Sequence, residues 1–290
     1  MSEHDGTKCE IPNPDWKTEL SRKISFGLWI DDHPRKCLEE GYIHRLRFLP
    51  VDHVSVMAED ARGGFRLKWT HEQMQEFSSS LVRYNIKPIF CCWPEPTKTY
   101  IEHLDKELPR VLESLKTDTV EVDVEFNWKR HKVRGYRSLK EAGEELMKVL
   151  RKHCGEVEAT TFAMHAEAGR RSTVAIHCDR LLLQSYSVRK GVSKRLIPWG
   201  HRYAPGVRQE KDIARVKKAG FENIGVGLAA WQQKGFGVSP FEAMEEALIA
   251  CFDADIYLIR YWSSKWIVGH RSTSYSPELV MLMKQHKRHP

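Results

Sequence analysis

The sequence predicts a single (β/α)8 barrel. Strand-like segments alternate with amphipathic segments along nearly the whole chain, eight strands are predicted, and 290 residues is close to the usual size of this fold. An open doubly wound sheet is the main alternative, and it would place a glycine-rich phosphate-binding loop after the first strand. The segment GLWIDDHP (27–34) contains no such loop. We therefore expect the barrel.

Each predicted strand is apolar or alternating and is rich in β-branched or aromatic residues. The strands are predicted at residues 24–30, 53–58, 87–93, 119–126, 157–164, 180–188, 223–231 and 255–262. Amphipathic helices are predicted between them at residues 70–85, 99–116, 138–154, 209–220 and 239–253. Between the fifth and sixth strands, RRSTVAIHC (170–178) predicts only a short turn.

Local signals mark helix ends and the extent of the domain. Thr70 with Gln73, and Ser239 with Glu242, have the spacing of an N-terminal capping box. Gly220 is expected to end its helix in the left-handed conformation that glycine favours. Residues 1–22 are predicted to be a polar N-terminal extension, and residues 23–290 one barrel domain.

The composition is that of a globular protein, with 41% hydrophobic and 29% charged residues. The sequence has no run of about eighteen uncharged apolar residues, so no membrane-spanning helix is predicted. The polar start MSEHDGTKCEIPNPDW lacks the apolar core of a secretory signal, and seven irregularly spaced cysteines predict no disulfide framework. We expect cytoplasmic synthesis, so an activity on the cell wall would require release of the protein by lysis.

The fourth predicted strand carries the most informative pattern. In TDTVEVDVEFNW (117–128), Glu121, Asp123 and Glu125 alternate with valines, so the carboxylates share one face. The valines suit the helix-facing side of a barrel strand, and the carboxylates are expected to point into the lumen and rise toward its mouth. Confined carboxylates raise one another's pKa, which indicates a poised general acid at Glu125. The alternative is a set of acids paired with inward-facing arginines.

Active groups of such barrels lie at the C-terminal ends of the strands and in the loops that follow. A polar residue at one of these positions often only caps a helix or contacts water. The candidates that this rule selects are Asp31, Asp32, His33, Glu59, Asp60, Trp93, Glu95, His165, Glu167, Trp231 and Gln232.

Three motifs resemble those of family-18 glycoside hydrolases, the chitinase-type enzymes. DTVEVDVE (118–125) is similar to the DxxDxDxE signature of the fourth strand in that family. Gln184-Ser185-Tyr186 resembles its Q-x-Y element, and YWSSK (261–265) resembles its terminal tryptophan segment. The chain departs from the family in that Glu121 stands where an aspartate is usual, Thr119 replaces a common glycine, and the third strand lacks a Ser-Gly-Gly stretch.

The resemblance implies a role for each matching residue. Glu125 would protonate the glycosidic oxygen, and Asp123 would stabilise the substrate acetamido group as it attacks the anomeric carbon. Tyr186 would hydrogen-bond the acetamido carbonyl, and Trp262 would form the floor of a sugar subsite. Neither a cofactor nor a metal is expected. The wider set of expected site residues adds Glu121 as a third carboxylate, with Gln184, Asp31, Trp93, Trp128, Trp199 and Trp231 as substrate contacts.

The D-x-E pair of Asp123 and Glu125 also resembles that of family-25 lysozymes, which cut peptidoglycan. In this second resemblance Glu125 is again the acid, while Asp123 is the assisting carboxylate. The two families therefore imply nearly the same residues and differ in substrate.

Two basic segments follow the fourth and sixth strands, NWKRHKVRGYRSLK (127–140) and SVRKGVSKRLIPWGHRYAPGVR (187–208). A barrel would place both on the catalytic rim, with Trp128 and Trp199 interleaved among the cations. A positive rim suits a long anionic substrate, and the net charge of +7 agrees with this. Peptidoglycan, which carries stem-peptide carboxylates, is therefore the expected partner. Nucleic acid is not expected, because phosphodiester chemistry would require metal ligands.

Three other functions remain open from the sequence. One is a chitinase-type enzyme acting on neutral chitin, and another is a glycan-binding barrel without catalysis. The third is a metal-dependent hydrolase using Asp31, His33, Glu59, His165 and Glu167, although no H-x-H or HExxH spacing supports it.

Overall fold

The computed structural model describes residues 24–59, 65–124, 128, 133–167, 173–186, 204–229, 240–262 and 277–287. In this part of the chain, parallel strands close into an eight-stranded barrel in sequence order. The strands are β1 (Ser25–Ile30), β2 (His53–Met57), β3 (Lys87–Cys92), β4 (Thr119–Asp123), β5 (Glu156–Thr161), β6 (Arg180–Gln184), β7 (Ile224–Ala229) and β8 (Leu258–Trp262). The predicted (β/α)8 fold is confirmed.

Helices follow the strands and surround the barrel. They are α1 (Pro34–Cys37), α2 (Glu40–Arg47), α3 (His71–Arg83), α4 (Lys98–Leu115), α5 (Leu139–His153), α6 (Ala163–Glu167), α7 (Thr173–His177), α8 (Val207–Lys218), α9 (Pro240–Asp253) and α10 (Pro277–Lys287). In the described part of the β5–β6 connection, residues 162–167 and 173–179, the helices α6 and α7 are five residues long each, in line with the short turn that the sequence predicts there. Among the described residues, no helix combines the length and apolar character needed to cross a bilayer.

Local sequence signals account for the helix ends. Thr70 accepts a hydrogen bond from the backbone N–H of Gln73, and the Gln73 side chain accepts one from the backbone N–H of Thr70, which completes the predicted capping box of α3. Gly220, just beyond α8, has a φ of +92°, as expected for a glycine that ends a helix. The second predicted box begins at Ser239, and the polar extension spans residues 1–22; both lie outside the described residues.

The valines of β4 pack outward into the main core, as the alternation predicted. Val120 and Val122 are fully buried there with side chains from the surrounding helices, such as Leu104 and Leu146. The other face of the strand looks into the lumen. The register fixes which residues meet inside: Gly27 on β1 is paired with His53 on β2 and with Arg260 on β8.

Glycines leave room for large side chains inside the barrel. A Cβ atom on Gly27 would lie 1.9 Å from Nε2 of His53, and a Cβ atom on Gly227 would lie 2.5 Å from Cη2 of Trp29. The lumen beside these glycines is therefore filled by side chains from nearby strands, and any side chain at either glycine would displace them.

The described cysteines are free thiols, in agreement with the absence of a predicted disulfide framework. Cys91 and Cys92 lie adjacent on β3. Burial raises the pKa of both thiols well above the ordinary value, so they remain protonated and act as small apolar side chains.

Candidate active site

A cavity of about 370 Å³ opens at the C-terminal ends of the strands. Its lining side chains come from the ends of seven of the eight strands, or from the residues directly after them. The lining residues are Asp31, Met57, Trp93, Asp123, Phe162, Gln184, Tyr186 and Trp262. Six of them, Asp31, Trp93, Asp123, Gln184, Tyr186 and Trp262, were predicted as site residues, and the structure brings them together in one cavity.

Asp123 is the carboxylate that β4 presents to this cavity. It is the last residue of the strand and is 9% exposed. Nε2 of Gln184 donates a hydrogen bond to Oδ1 of Asp123 over 3.4 Å. The carboxylate is thus held at the cavity wall by a side chain from a second motif, the Q-x-Y element of Gln184 and Tyr186.

Glu121 does not reach the cavity, which corrects its assignment as a catalytic residue. It is fully buried one layer below Asp123 and does not line the cavity. Its oxygens accept hydrogen bonds from Nε1 of Trp29 at 2.5 Å, from the hydroxyls of Ser55 and Thr160, and from the guanidinium of Arg260. A carboxylate with these four donors and no exposed surface cannot contact a substrate. For Glu121, the alternative of an acid paired with an inward arginine is correct.

A chain of ion pairs continues from Glu121 down the lumen. The guanidinium of Arg260, itself fully buried, also contacts Oε2 of Glu158 at 2.9 Å. Nη1 of Arg180 contacts Oε1 of Glu158 at 2.7 Å. Each of these buried charges is paired with a charge of opposite sign. An unpaired charge in the interior would lose the favourable free energy of hydration and gain no ion pair in exchange. The floor beneath the cavity is therefore polar but closed by paired charges.

His53 lies beside this chain of charges in the lower lumen. Burial, followed by the positive charges of Arg260 and Arg180, lowers the pKa of its imidazole well below the ordinary value. Nδ1 of His53 lies 3.3 Å from the hydroxyl of Ser25. The ring is therefore neutral in the folded protein.

Trp93 forms one wall of the cavity, and Glu59 supports it from behind. Oε2 of Glu59 accepts hydrogen bonds from the backbone N–H of Trp93 at 3.2 Å and from the hydroxyl of Tyr100 at 2.8 Å. Glu59 is buried and does not line the cavity. Burial, and then the charge of Glu59, raise the pKa of Tyr100 well above the ordinary value, so its hydroxyl remains a donor. Glu59 thus fixes the turn after β3.

The opposite wall is anchored by α8. Between Gln184 and Tyr186, the hydroxyl of Ser185 donates to Oδ2 of Asp212 at 2.9 Å, and Nε2 of Gln209 donates to the Ser185 carbonyl at 2.5 Å. Burial raises the pKa of Asp212. These two hydrogen bonds to Ser185 fix the end of β6, on either side of which Gln184 and Tyr186 line the cavity.

Trp128 was predicted to contact substrate from the rim, and the structure contradicts this. Its side chain is 1% exposed, belongs to the main core, and donates from Nε1 to the Pro94 carbonyl at 2.9 Å. The large apolar ring buries more of its surface in the main core than it would at the mouth of the barrel, which favours the buried position. Sequence position alone did not distinguish these two places.

The remaining predicted residues fall into two groups. Glu125, Trp199, Trp231, Asp60 and Gln232 lie outside the described residues, and their roles stay predictions. Asp32, His33, Glu95 and His165 are described but do not line the cavity. His33 caps α1 by accepting from the backbone N–H of Arg35 at 3.3 Å, and the ring of His165 lies edge-on to Phe162. Within the described ranges, no three His, Cys, Asp or Glu side chains are grouped so that they could hold a metal ion.

The described part of the basic rim is partly neutralised by the protein itself. Arg137 pairs with Glu141 at 3.3 Å, and Arg208 pairs with Asp212 at 2.7 Å. Arg134 is exposed at the turn where its carbonyl accepts from the backbone N–H of Lys98. Most of the other predicted rim cations lie outside the described residues.

Met57 and Phe162 line the cavity and were missed by the sequence reasoning. Each occupies a lumen-facing position by simple alternation, Met57 two residues after Ser55 and Phe162 two residues after Thr160. The alternation of β2 and β5 could have identified both. The strand-end rule selected charged and polar residues and tryptophans, and it therefore did not predict a methionine or a phenylalanine at these positions.

The comparisons with known proteins define the class of the fold. No protein-family model matches the chain, and no curated protein matches its sequence. Solved structures do match, and they are barrels that superimpose over most of the chain. At the level of fold the protein is therefore a (β/α)8 barrel with its cavity at the C-terminal mouth.

Three of these solved structures illustrate the likeness. The catalytic domain of the hyperthermophilic chitinase from Pyrococcus furiosus matches with a TM-score of 0.59 and 10% identity over 92% of this chain and 96% of its own. The spore cortex-lytic enzyme of Bacillus megaterium QM B1551 gives 0.56 and 8% over 91% and 74%. The N-terminal domain of a putative aldolase from Bacteroides vulgatus gives 0.55 and 13% over 90% and 79%. Identities this low establish the fold alone.

Proposed function

We propose that the protein is a glycoside hydrolase that cleaves β-1,4 bonds in an N-acetylhexosamine polymer, with peptidoglycan as its substrate. One observation carries the proposal. Asp123, Gln184, Tyr186 and Trp262, which three separate motifs predicted as one sugar site, line a single cavity at the barrel mouth. Similar barrels include a chitinase and a spore cortex-lytic enzyme, which supports glycan chemistry without specifying it.

The chemistry assigned to the cavity needs two carboxyl groups. Asp123, held by Gln184, assists at the anomeric centre, either by stabilising the substrate acetamido group or as a direct partner of the oxocarbenium-like transition state. Glu125 is the general acid, two residues further along the chain and predicted by alternation to share the lumen face. Tyr186 supplies a hydroxyl, and Trp262 supplies an apolar surface for a pyranose ring.

The aromatic composition of the cavity also suits a sugar. Four aromatic side chains surround two carboxylates and one amide, an arrangement typical of small-ligand sites in which apolar walls bind and a few polar groups orient. A cavity of about 370 Å³ is at the lower end of the usual range for such sites. It therefore suits one sugar residue of a chain better than a long buried segment.

The polymer is assigned from charge. The net charge is +7, and the segments after β4 and β6 are rich in Lys and Arg. Chitin is neutral, whereas the stem peptides of peptidoglycan carry carboxylates, so a cationic rim favours peptidoglycan. The pairing of Arg137 and Arg208 with acids reduces the described part of this charge. The choice between peptidoglycan and chitin is tested directly by assaying both polymers.

The deciding experiment is Glu125→Gln assayed on purified sacculi and on chitin oligomers. Loss of the general acid should lower the rate at least about 100-fold, while the isosteric amide leaves the fold unchanged. Glu102→Gln, which changes an exposed carboxylate on α4, is the matched control and should retain the wild-type rate. An unchanged rate of Glu125→Gln on both substrates would refute the proposed mechanism. Turnover of chitin oligomers alone would reassign the substrate to chitin.

Addition of a chelator separates this mechanism from metal-dependent hydrolysis. An acid-assisted glycosidase should keep its rate in EDTA, because no metal takes part in bond cleavage. A rate that EDTA abolishes and zinc or magnesium restores would favour the metal-dependent alternative. The same protein incubated in buffer without chelator is the control.

A further inference from the structure

We propose that Trp29 is a positioning residue that fixes the ring of Trp262 as the floor of the cavity, and that Glu121 and Arg260 hold Trp29 in place for this purpose. The inference rests on the proposed function, in which a sugar ring stacks on Trp262. Neither the sequence motifs nor the proposed mechanism assigned a function to these buried residues below the cavity.

Trp29 is constrained on three sides. Its Nε1 donates to Oε1 of Glu121 at 2.5 Å, and Cζ of Arg260 lies 5.6 Å from the centroid of its ring. Gly227 makes room for the far edge of the ring, because a Cβ atom there would lie 2.5 Å from Cη2. The side chain is 2% exposed. A hydrogen bond, a cation–π contact and a missing side chain therefore determine one position for the indole.

Trp29 in turn contacts Trp262. The ring centroids are 5.7 Å apart and the planes are inclined by 60°, a tilted geometry that is favourable for aromatic pairs. Trp262 lines the cavity, whereas Trp29 does not, so Trp29 lies behind the residue that would touch the sugar. Trp29, Cys91 and Leu182 form a small apolar cluster of their own, against which Trp262 packs. The tilt of the Trp262 ring is thus set from below.

The ion pair between Glu121 and Arg260 keeps Trp29 in a rigid position. Glu121 accepts from Arg260 as well as from Trp29, and Arg260 is compensated a second time by Glu158. A carboxylate with these charge-assisted partners has little freedom to rotate, and it transmits that restriction to the indole. The layer that excluded Glu121 from catalysis therefore serves sugar binding.

This arrangement predicts a separation of binding from chemistry. Disturbing Trp29 should misplace the floor on which the sugar stacks while leaving Asp123, which is held by Gln184, in place. The Michaelis constant should then rise and kcat should change little, because the lost contact acts in the ground state and the transition state alike. If Trp29 had only a structural role, replacing it would lower the stability of the protein without raising KM while leaving kcat nearly unchanged.

Two variants test the inference. Trp29→Phe keeps an aromatic ring and removes the Nε1 donor, and Gly227→Ala pushes on the far edge of the same ring without removing it. Each should raise KM for the hydrolysed oligomer about tenfold, because a misplaced Trp262 ring stacks less well on the sugar, with kcat within about twofold. Trp69→Phe is the matched control, since Trp69 is equally buried but packs on Phe77 outside the lumen.

A spectroscopic readout makes the result independent of turnover. Two indoles at this distance and tilt couple their π–π* transitions and give paired bands of opposite sign in the far-ultraviolet circular dichroism spectrum. Gly227→Ala retains both rings, so a weakened couplet would report that Trp29 and Trp262 have moved apart or rotated. Trp69→Phe should leave the couplet unchanged.

The outcomes distinguish the inference from the function on which it rests. A folded Gly227→Ala with a weakened couplet but wild-type KM, or a folded Trp29→Phe with wild-type KM, would overturn the role of Trp29, even if the wild-type protein is a glycosidase. Should the wild-type protein hydrolyse neither substrate, the proposed function fails. In that case the affinity for chitotriose measured by calorimetry, together with the couplet, decides whether Trp29 positions Trp262. If Trp29→Phe does not fold, Gly227→Ala carries the test.

Discussion

Glu121 and Asp123 are acids two residues apart on the same face of β4, and their surroundings give them different roles. Glu121 accepts hydrogen bonds from four donors and balances the charge of Arg260, whereas Asp123 contacts Gln184 at the cavity wall. A step of two residues moves a side chain about 6.6 Å along the strand, which is enough to leave the closed layer and enter the open one. At this scale, depth in the barrel determines function.

Replacement of Asp123 by asparagine should abolish most of the activity. The amide keeps the size of the side chain but cannot carry the negative charge that assists the anomeric centre, and we expect a loss of about 100-fold or more in kcat. Release of reducing ends from sacculi is the measurement. Asp253→Asn, which changes an exposed acid at the end of α9, is the control. Wild-type kcat in Asp123→Asn would remove this residue from the mechanism.

His53 should make the folded protein sensitive to mild acid. Burial and the nearby arginines lower the pKa of His53 in the folded state, whereas the unfolded chain takes up a proton below about pH 6.5. The unfolded state therefore binds more protons as the pH falls, and the free energy of unfolding should decrease by about 1.4 kcal/mol per pH unit below that value.

Denaturant unfolding at pH 7.5 and pH 5.0 measures this effect. The drop in the free energy of unfolding between the two pH values should be smaller in His53→Gln than in the wild type by about 2 kcal/mol. His103→Gln, at an exposed position on α4, should show the wild-type drop. Equal drops in all three proteins would show that His53 is not the group responsible.

At the scale of elements, strand ends build the site and neighbouring helices hold them. The turn after β3 is fixed by Glu59 and Tyr100, and the end of β6 is fixed by Gln209 and Asp212 of α8. These supports are buried polar groups whose partners come from other elements. The helices therefore do more than cover the barrel, because they set the positions of the cavity walls.

The capping box of α3 offers a direct test of local stability. Thr70→Ala removes the acceptor for the Gln73 N–H and should lower the free energy of unfolding by about 1 kcal/mol. Thr70→Ser retains the hydroxyl and should cost only a fraction of this amount. Urea unfolding of the two variants provides the comparison. A Thr70→Ala protein as stable as the wild type would mean that water satisfies the helix end equally well.

At the scale of the whole molecule, the distribution of charge should determine how the protein meets its polymer. If the cationic rim attracts peptidoglycan, added salt should screen that attraction, since the Debye length falls from about 10 Å at 0.1 M to about 3 Å at 1 M. Binding to sacculi should therefore weaken steadily between these salt concentrations. Binding of neutral chitotriose should remain constant over the same range.

A charge variant makes the salt test specific. Arg134→Ala removes an exposed cation beside the cavity-forming loops and should weaken binding to sacculi. Lys148→Ala removes the same charge from an exposed position on α5, outside the basic segments, where Glu145 lies 2.5 Å away, and should have little effect. Co-sedimentation with sacculi measures both. Equal losses would indicate that net charge alone, and not the rim, drives binding.

Sequence patterns were sufficient to predict the barrel, most strand and helix positions, and the outward packing of the β4 valines. These features depend on the alternation of strands, the amphipathic period of helices and local capping, all of which involve residues close together in the sequence. The same local logic brought six of the expected site residues to one cavity, because the C-terminal ends of all strands in a barrel meet at one mouth.

The roles of four residues could be assigned only from the folded structure: Glu121, Trp128, Glu59 and Trp29. Each depends on partners far away in the chain: Arg260 for Glu121, the Pro94 carbonyl for Trp128, Tyr100 for Glu59 and Trp262 for Trp29. Alternation shows which face a side chain occupies, but depth and pairing arise from strands and loops that fold against it. A local pattern therefore predicts where the site opens, and long-range contacts determine which residues are free to act there.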